Sequence, residues 1–428
     1  MLLGLQLQKL HIKYTCTSSY CICIVGVLFL SVLLIVLSKP KRTASKRIPE
    51  SLLLSLHGLN CTVELCIPLY VVWHYTGAPM FGFAYLFTAV LLWMKLISYA
   101  HCNRDLRLAW YHAAEAAKRK DDKADNNSHT HLAAPAQPPA LASTAVSGTQ
   151  ALLLSNAIHD AHHVLACAVS WQTSSYPSNI SLSNVYYFWF APTLSYQLNY
   201  PKTPCIRWYY VANLAVRCCI ALLLMTLIVE QYILPALQTS FHPITRGDLL
   251  STAETLLALC IPSTYVWLLI FYGFFHVLLN LLAELFGDRL FYRDWWNATT
   301  IEAYWRLWNL PVHYWMVRHM YFPCLRAGIS KTMASVLCFV LSAVFHELLI
   351  SVPFRMVKFY AFFGMLANVL LVPITKAVDD YCGKGSQAGN WIFWVVFCFV
   401  GQPMSVLLYY RDYCSDNHCT MPFAQPHT

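Results

Sequence analysis

His346 and Glu347 stand side by side in Ser342-Ala-Val-Phe-His-Glu-Leu-Leu-Ile350, a run that is otherwise almost wholly apolar. An ionisable side chain in such a run is expensive and is a functional candidate by default. A neutral imidazole is the side chain best able to survive there, and it keeps a lone pair that can take a proton. The plainer alternative is a core histidine hydrogen-bonded to a neighbouring helix. A zinc metalloprotease is excluded, because the second His of H-E-x-x-H is missing.

Three further stretches carry polar chemistry. Phe291-Tyr-Arg-Asp-Trp-Trp-Asn297 leads into Tyr304-Trp-Arg-Leu-Trp-Asn-Leu-Pro-Val-His313-Tyr-Trp-Met-Val-Arg-His319. Trp305, Trp308, Val312 and Trp315 recur there at helical spacing, with Arg306, Asn309, His313 and Arg318 between them. This predicts one amphipathic helix lying in the membrane interface, with most of its Trp residues forming an aromatic belt. Asn309, two residues before Pro311, needs polar partners wherever that helix packs. The second stretch, Phe190 to Arg207, holds three prolines with Lys202 and Arg207. It reads either as a rigid surface for an anionic group or as an ordinary loop before a helix. The third contains Gly389-Asn390 and then Gly401-Gln402-Pro403, where Gln402 is a buried amide and the Gly-x-Pro spacing equally suits a kink.

The elements that must hold these residues follow from composition. Of 428 residues, 58% are hydrophobic and only 11% are charged, and mean hydropathy is +0.48. So few charges cannot cover a soluble surface, and the composition excludes a disordered chain. Eight apolar stretches are long enough, or nearly so, to cross a bilayer: 20–37, 52–74, 80–99, 209–235, 255–284, 333–352, 357–378 and 390–410. They are expected to be helices, since backbone in lipid must satisfy its own hydrogen bonds. The fold class is therefore all-α, a polytopic membrane protein of about eight transmembrane helices plus the interfacial helix. The loops at 38–51, 100–208, 285–332 and 379–389 hold most of the Lys and Arg, while Lys9, Lys13, Arg246, Arg355 and Arg411 fall on the opposite side. That pattern puts the first set in the cytosol and both termini in the lumen.

The chain divides into a luminal segment (1–19), N-terminal spans (20–110), a flexible cytosolic linker (111–175), a core (176–413) and a luminal tail (414–428). The linker assignment rests on the charged, then Ala/Pro-rich composition of 118–150. The 17 Cys form no C-x-x-C pair, and His159, His162 and His163 lack nearby Cys, so no metal site is expected. The sequons at Asn60, Asn126, Asn179 and Asn297 are read as chance. Nothing suggests nucleic-acid binding, and no internal repeat favours a transporter.

Taken in order, Ala191-Pro-Thr-Leu-Ser-Tyr-Gln, Tyr200-Pro-Lys-Thr-Pro, Phe291-Tyr-Arg-Asp-Trp-Trp-Asn, Asn309-Leu-Pro-Val-His-Tyr-Trp, Ser342-Ala-Val-Phe-His-Glu and Gly401-Gln-Pro resemble the membrane-bound O-acyltransferases. Within that family they resemble the type 1 diacylglycerol branch of plants and algae. The resemblance covers about 50–110 and 176–413. It departs at the N-terminus, where the family's usual long tail and first span are expected to be lacking, and at Asn368, where the family usually has Gln.

The resemblance implies an intramembrane reaction chamber in the endoplasmic reticulum membrane. It implies acyl transfer from acyl-CoA, as co-substrate, to diacylglycerol, giving triacylglycerol. No other cofactor and no metal is expected, and a homodimer or homotetramer is admitted. His346 is then the base, Asn309 its assistant, and Glu347 and Gln402 groups that either support the reacting side chains or orient the substrate. Phe291, Tyr292, Asp294, Trp295, Trp296, Asn297, His313, Tyr321, Asn368 and Arg207 are the expected substrate contacts. The alternatives are a sterol O-acyltransferase and a non-enzymatic transporter or scaffold.

Overall fold

The computed structural model describes residues 49–76, 79–125, 175–201, 205–245, 248–287 and 290–416. The expected first span at 20–37, both termini and the His159 cluster lie outside them. Seven described helices are long and apolar enough to cross a membrane: Glu50–Tyr75, Pro79–Arg119, Trp208–Thr239, Leu249–Phe286, Lys331–Phe354, Tyr360–Cys382 and Ala388–Asp416. They coincide with the other seven apolar stretches of the sequence. The chain is a multi-pass membrane protein, and its described residues hold no strand.

In chain order the elements are α1 (Glu50–Tyr75), α2 (Pro79–Asp125), α3 (Leu182–Phe190) and α4 (Trp208–Ile228). Then come α5 (Leu234–Thr245), α6 (Leu249–Phe271) and α7 (Leu279–Phe286). The connecting region holds α8 (Ile301–Leu307), α9 (Leu310–Met316) and α10 (Phe322–Arg326). The last are α11 (Lys331–Phe354), α12 (Tyr360–Leu366), α13 (Asn368–Cys382), α14 (Ala388–Val395) and α15 (Gln402–Asp416). Widened π-helical turns interrupt the helices at Val229–Ile233, Tyr272–Leu278, Val317–Tyr321 and Val396–Gly401.

Two departures from expectation concern boundaries. The Lys118–Lys123 charge run, read as linker, continues α2 without a break to Asp125. Its Lys and Arg residues, like the Ala113-Ala-Glu-Ala-Ala117 stretch before them, are strong helix formers, and that local preference outlasts the apolar stretch. The single amphipathic helix expected over 304–319 is two short helices, α8 and α9. Asn309 breaks them: its backbone leaves the helical region (φ −142°, ψ 82°), and its side chain caps the start of α9. Pro311, at the second position of α9, has no N–H to offer the preceding turn.

The chain forms two compact units. The first takes in the N-terminal part through Ile67, Leu91–Ile206 and Phe286–Asp288, so residues 176–206 join the N-terminal helices instead of the later ones. Its core is aromatic, with Tyr99, Phe188, Tyr196 and Tyr200 packed together. Lys95, only 7% exposed, organises that core. Its ammonium donates to the carbonyls of Phe188 (2.8 Å), Trp189 (3.0 Å) and Ala191 (2.6 Å), closing the C-terminal end of α3. These carbonyls are left over at a helix end, and a cation suits that pole of the helix. Asn179 donates to Asn103 Oδ1 (2.9 Å) and to the Tyr196 hydroxyl (3.0 Å). It is buried and bonded, which agrees with its sequon being chance.

The second unit comprises Pro68–Val90, Arg207–Leu285 and the chain from Arg289 onward. It carries every remaining candidate residue. Its largest core cluster is again aromatic: Phe271, Phe275, Phe291, Trp295, Tyr304 and Phe393 are buried together, with Trp267, Trp305 and Trp308 packed on them. The aromatic-belt reading of Trp305, Trp308 and Trp315 is thus corrected. Trp308 stacks on Trp267 with ring centroids 5.9 Å apart, and Trp315 is buried. Aromatic faces and edges fill the space between helices better here than lipid does.

Replacing Lys95 by Met keeps the apolar stem and removes the donors. The Phe188 and Trp189 carbonyls then lose the Lys95 donor, while the Ala191 carbonyl keeps the Thr193 N–H (2.8 Å), and the purified protein should be destabilised by about 2–3 kcal/mol, seen as a lower thermal unfolding midpoint in detergent.

Candidate functional site

His346 sits in the second half of α11, at the centre of the site. Its Nδ1 lies 2.8 Å from the Ser342 carbonyl oxygen one turn back, with the Ser342 hydroxyl at 3.5 Å. A carbonyl only accepts, so Nδ1 carries the proton and Nε2 is left with the lone pair. The ring keeps open surface on its face of α11.

Glu347, the next residue, points elsewhere and is 6% exposed. Its carboxylate accepts the Phe359 N–H (2.8 Å), the Phe362 N–H (3.2 Å), the Tyr409 hydroxyl (2.8 Å) and the Ser351 hydroxyl. Four donors fill a carboxylate's acceptor sites. Two of them are free amides at the start of α12, which has no cap of its own from Phe359. Phe359 itself is held at φ 60°, a costly conformation for an aromatic residue. Glu347 therefore cannot also orient a substrate. It joins α11 to α12 and α15, and so fixes the turn that carries His346.

Asn309 uses its Oδ1 to cap α9, accepting the Val312 N–H at 3.2 Å. The cap engages only the carbonyl half of the amide. The region around it meets the His346 face of α11 through Trp305. The Trp305 ring contacts Phe339 edge-on at 5.9 Å, and its indole N–H donates to Asn368 Oδ1 at 3.3 Å. Phe339 lies seven residues before His346, two turns back on the same face. Asn368 donates its own N–H groups to the Gly364 and Met365 carbonyls, so its amide is engaged at both ends. α11 also packs on the π-turn Val317–Tyr321, which ends in Tyr321. Gln402 is half-buried where the π-turn Val396–Gly401 passes into α15.

The Phe291–Asn297 motif divides by burial. Phe291 and Trp295 (2% exposed) lie inside the aromatic cluster, so their reading as substrate contacts is corrected. They hold the motif in place. Asp294, Trp296 and Asn297 are exposed. Tyr292 is half-buried, and its hydroxyl lies 2.7 Å from His276 Nδ1. Burial, then the Asp294 carboxylate, raise the Tyr292 phenol above its usual range. His313 is half-buried, and desolvation followed by the nearby Arg306 charge lower its basicity. The fold therefore resists protonating His313, and lowering the pH below about 6.5 favours the unfolded chain at that position.

Arg207 does not present a free charge to an anion. Its guanidinium makes a bidentate pair with Glu284 (3.0 and 2.8 Å), and its backbone N–H donates to the same carboxylate at 2.9 Å. The Glu284 side chain is 0% exposed, while that of Arg207 is 53% exposed. Arg207 is thus a latch between the start of α4 and the end of α7.

Residues 141–410 match the model of the membrane-bound O-acyltransferase family. The chain belongs to that family. It is 42% identical to diacylglycerol O-acyltransferase 1C of Glycine max over 369 residues, 86% of this chain and 62% of that protein. It is 41% identical to diacylglycerol O-acyltransferase 1 of Arabidopsis thaliana over 374 residues, 87% of this chain and 61% of that protein. The amoeba Dictyostelium discoideum supplies a third relative, diacylglycerol O-acyltransferase 1, at 46% over 247 residues, 57% of this chain and 39% of that protein. The chain spans about three fifths of the length of the plant relatives it matches.

For a membrane-bound O-acyltransferase, the site holds several residues that sequence reasoning passed over. His276, the partner of Tyr292, was a lone imidazole in the apolar stretch 255–284 and could have been flagged on that ground. Tyr409 and Ser351 gave no signal, because their task depends on the path of the chain after α11.

The Arg207–Glu284 pair gives an asymmetric test. Arg207→Ala removes the cationic partner of a fully buried carboxylate, leaving it the backbone N–H of residue 207, and should destabilise the protein by about 3 kcal/mol. Glu284→Gln leaves an arginine that water can reach and should cost less, and Arg207→Ala with Glu284→Gln should be more stable than Arg207→Ala alone. Thermal unfolding of the three purified variants checks the order.

Proposed function

We propose that this chain transfers the acyl group of acyl-CoA to the free hydroxyl of a diacylglycerol, making triacylglycerol in the endoplasmic reticulum membrane. The observation that carries the reading is the state of His346: its Nδ1–H donates to the Ser342 carbonyl, which leaves the Nε2 lone pair as the base, and the residue keeps open surface. The names of the relatives support diacylglycerol as the acceptor.

An alcohol is a weak nucleophile, and Nε2 takes its proton as the oxygen attacks the thioester carbonyl. The resulting tetrahedral oxyanion needs donors. The Nδ2 half of Asn309, which the helix cap leaves unused, is the candidate. The C–S bond then breaks, and the imidazolium returns its proton to the CoA sulfur. The products are triacylglycerol and free CoA, and the base is restored without any net proton change. A membrane setting that keeps water from the reacting groups protects the thioester from hydrolysis. The exposed Asp294, Trp296 and Asn297 are the proposed meeting point for the acyl-CoA head on the cytosolic side.

The deciding experiment is lipid analysis of triacylglycerol-deficient yeast expressing the chain. Triacylglycerol should reappear, and steryl esters alone would sink the proposal. With purified protein, His346→Ala should lower turnover by about 10²–10⁴-fold while folding is kept. Wild-type turnover in that variant would remove His346 from the chemistry. Asn309→Ala should lose about 10²-fold in kcat, and an unchanged kcat at saturating substrate would remove Asn309.

A further inference from the structure

The turn between Trp295 and Ile301 is gripped by its backbone from two later helices. On α14, the Asn390 side-chain amide donates to the Trp296 carbonyl (2.8 Å) and to the Ala298 carbonyl (3.0 Å). Trp394 adds a longer bond to the Trp296 carbonyl at 3.4 Å. On α13, the fully buried Thr375 hydroxyl accepts the Ile301 N–H at 3.1 Å. It donates its own proton to the Leu371 carbonyl at 2.9 Å, so its orientation is set.

Gly389 completes the grip by allowing backbone to touch backbone. A Cβ there would lie 1.9 Å from the Thr299 carbonyl oxygen, and no flexible side chain stands in the way to give ground. The gripped groups are the backbone atoms of residues 296, 298, 299 and 301, while Asp294, Trp296 and Asn297 keep their side chains exposed. An arrangement that fixes a turn by its backbone and leaves its side chains outward lowers the ordering cost of binding.

We infer that Asn390 is a positioning residue for the acyl donor: with Gly389 and Thr375 it holds the Trp295–Ile301 turn in the shape that receives acyl-CoA. The inference rests on the function proposed above and adds residues outside its reacting groups. A residue serving stability alone would weaken both substrates or neither. A residue that shapes the donor entrance affects one substrate.

Steady-state kinetics of purified Asn390→Ala, with acyl-CoA and diacylglycerol varied in turn, separate the two. The KM for acyl-CoA should rise about tenfold, while kcat and the KM for diacylglycerol stay within about twofold. Asn390→Gln, which keeps the amide, should recover part of the loss. Equal rises in both KM values, or a fall in kcat with the acyl-CoA KM unchanged, overturn the inference. Should Asn390→Ala fail to fold, Asn390→Ser keeps a donor for one of the two carbonyls and should shift the same parameter by a smaller factor. Direct binding of a non-hydrolysable thioether analogue of acyl-CoA needs no turnover. Wild-type protein that binds this analogue without acylating diacylglycerol refutes the proposed reaction, and the inference is then decided by whether Asn390→Ser weakens that binding.

Discussion

The His346 Nδ1–H donates a hydrogen bond to a carbonyl one helical turn behind it, and this bond decides which nitrogen is left to act. Inside a membrane helix the carbonyl of Ser342 is already part of the backbone ladder, so the histidine borrows an acceptor without importing a charged partner. A carboxylate in the same place would have needed several donors to be tolerable among apolar helices. Glu347, one residue on, shows what that entails: four donors gathered from α11, the start of α12 and α15. The two neighbours thus divide the work. The imidazole keeps its Nε2 lone pair on the open side, and the carboxylate builds the frame that holds the helix there.

Much of this architecture was legible in the residues. The seven described spans show as long apolar stretches because lipid imposes one simple rule on every position. His346 was legible for the opposite reason, since it breaks that rule. What could not be read was the partner of each polar group. Lys95 is one charge in an apolar run, and nothing local says that it closes the end of α3, nearly a hundred residues away. Arg207 reads as a free cation until the chain folds back and supplies Glu284. Long-range pairing carries no local signature, so charge alone misassigns the residue.

The region from Tyr304 to Arg318 failed differently. Its Trp spacing fits one amphipathic helix, and the period itself is sound. Asn309 and Pro311 together end one helix and begin another, and that local chemistry overrides the period. With the helix broken at Asn309, Trp308 meets Trp267, Phe271 and Phe275 instead of lipid headgroups, and Trp305 meets Tyr304 and Phe339. Aromatic residues are equally at home in both places, so composition cannot distinguish them.

The π-helical turns have a consequence of their own. A widened turn arises when one extra residue is fitted into an α-helix whose two ends stay in register. Among the described residues, four helices carry such a surplus residue. Each is a point where the chain could shed a residue and relax to regular winding without rotating what lies beyond it. Length in these helices is therefore adjustable at four places, and related chains that differ by a single deletion there should superimpose on both sides of the gap.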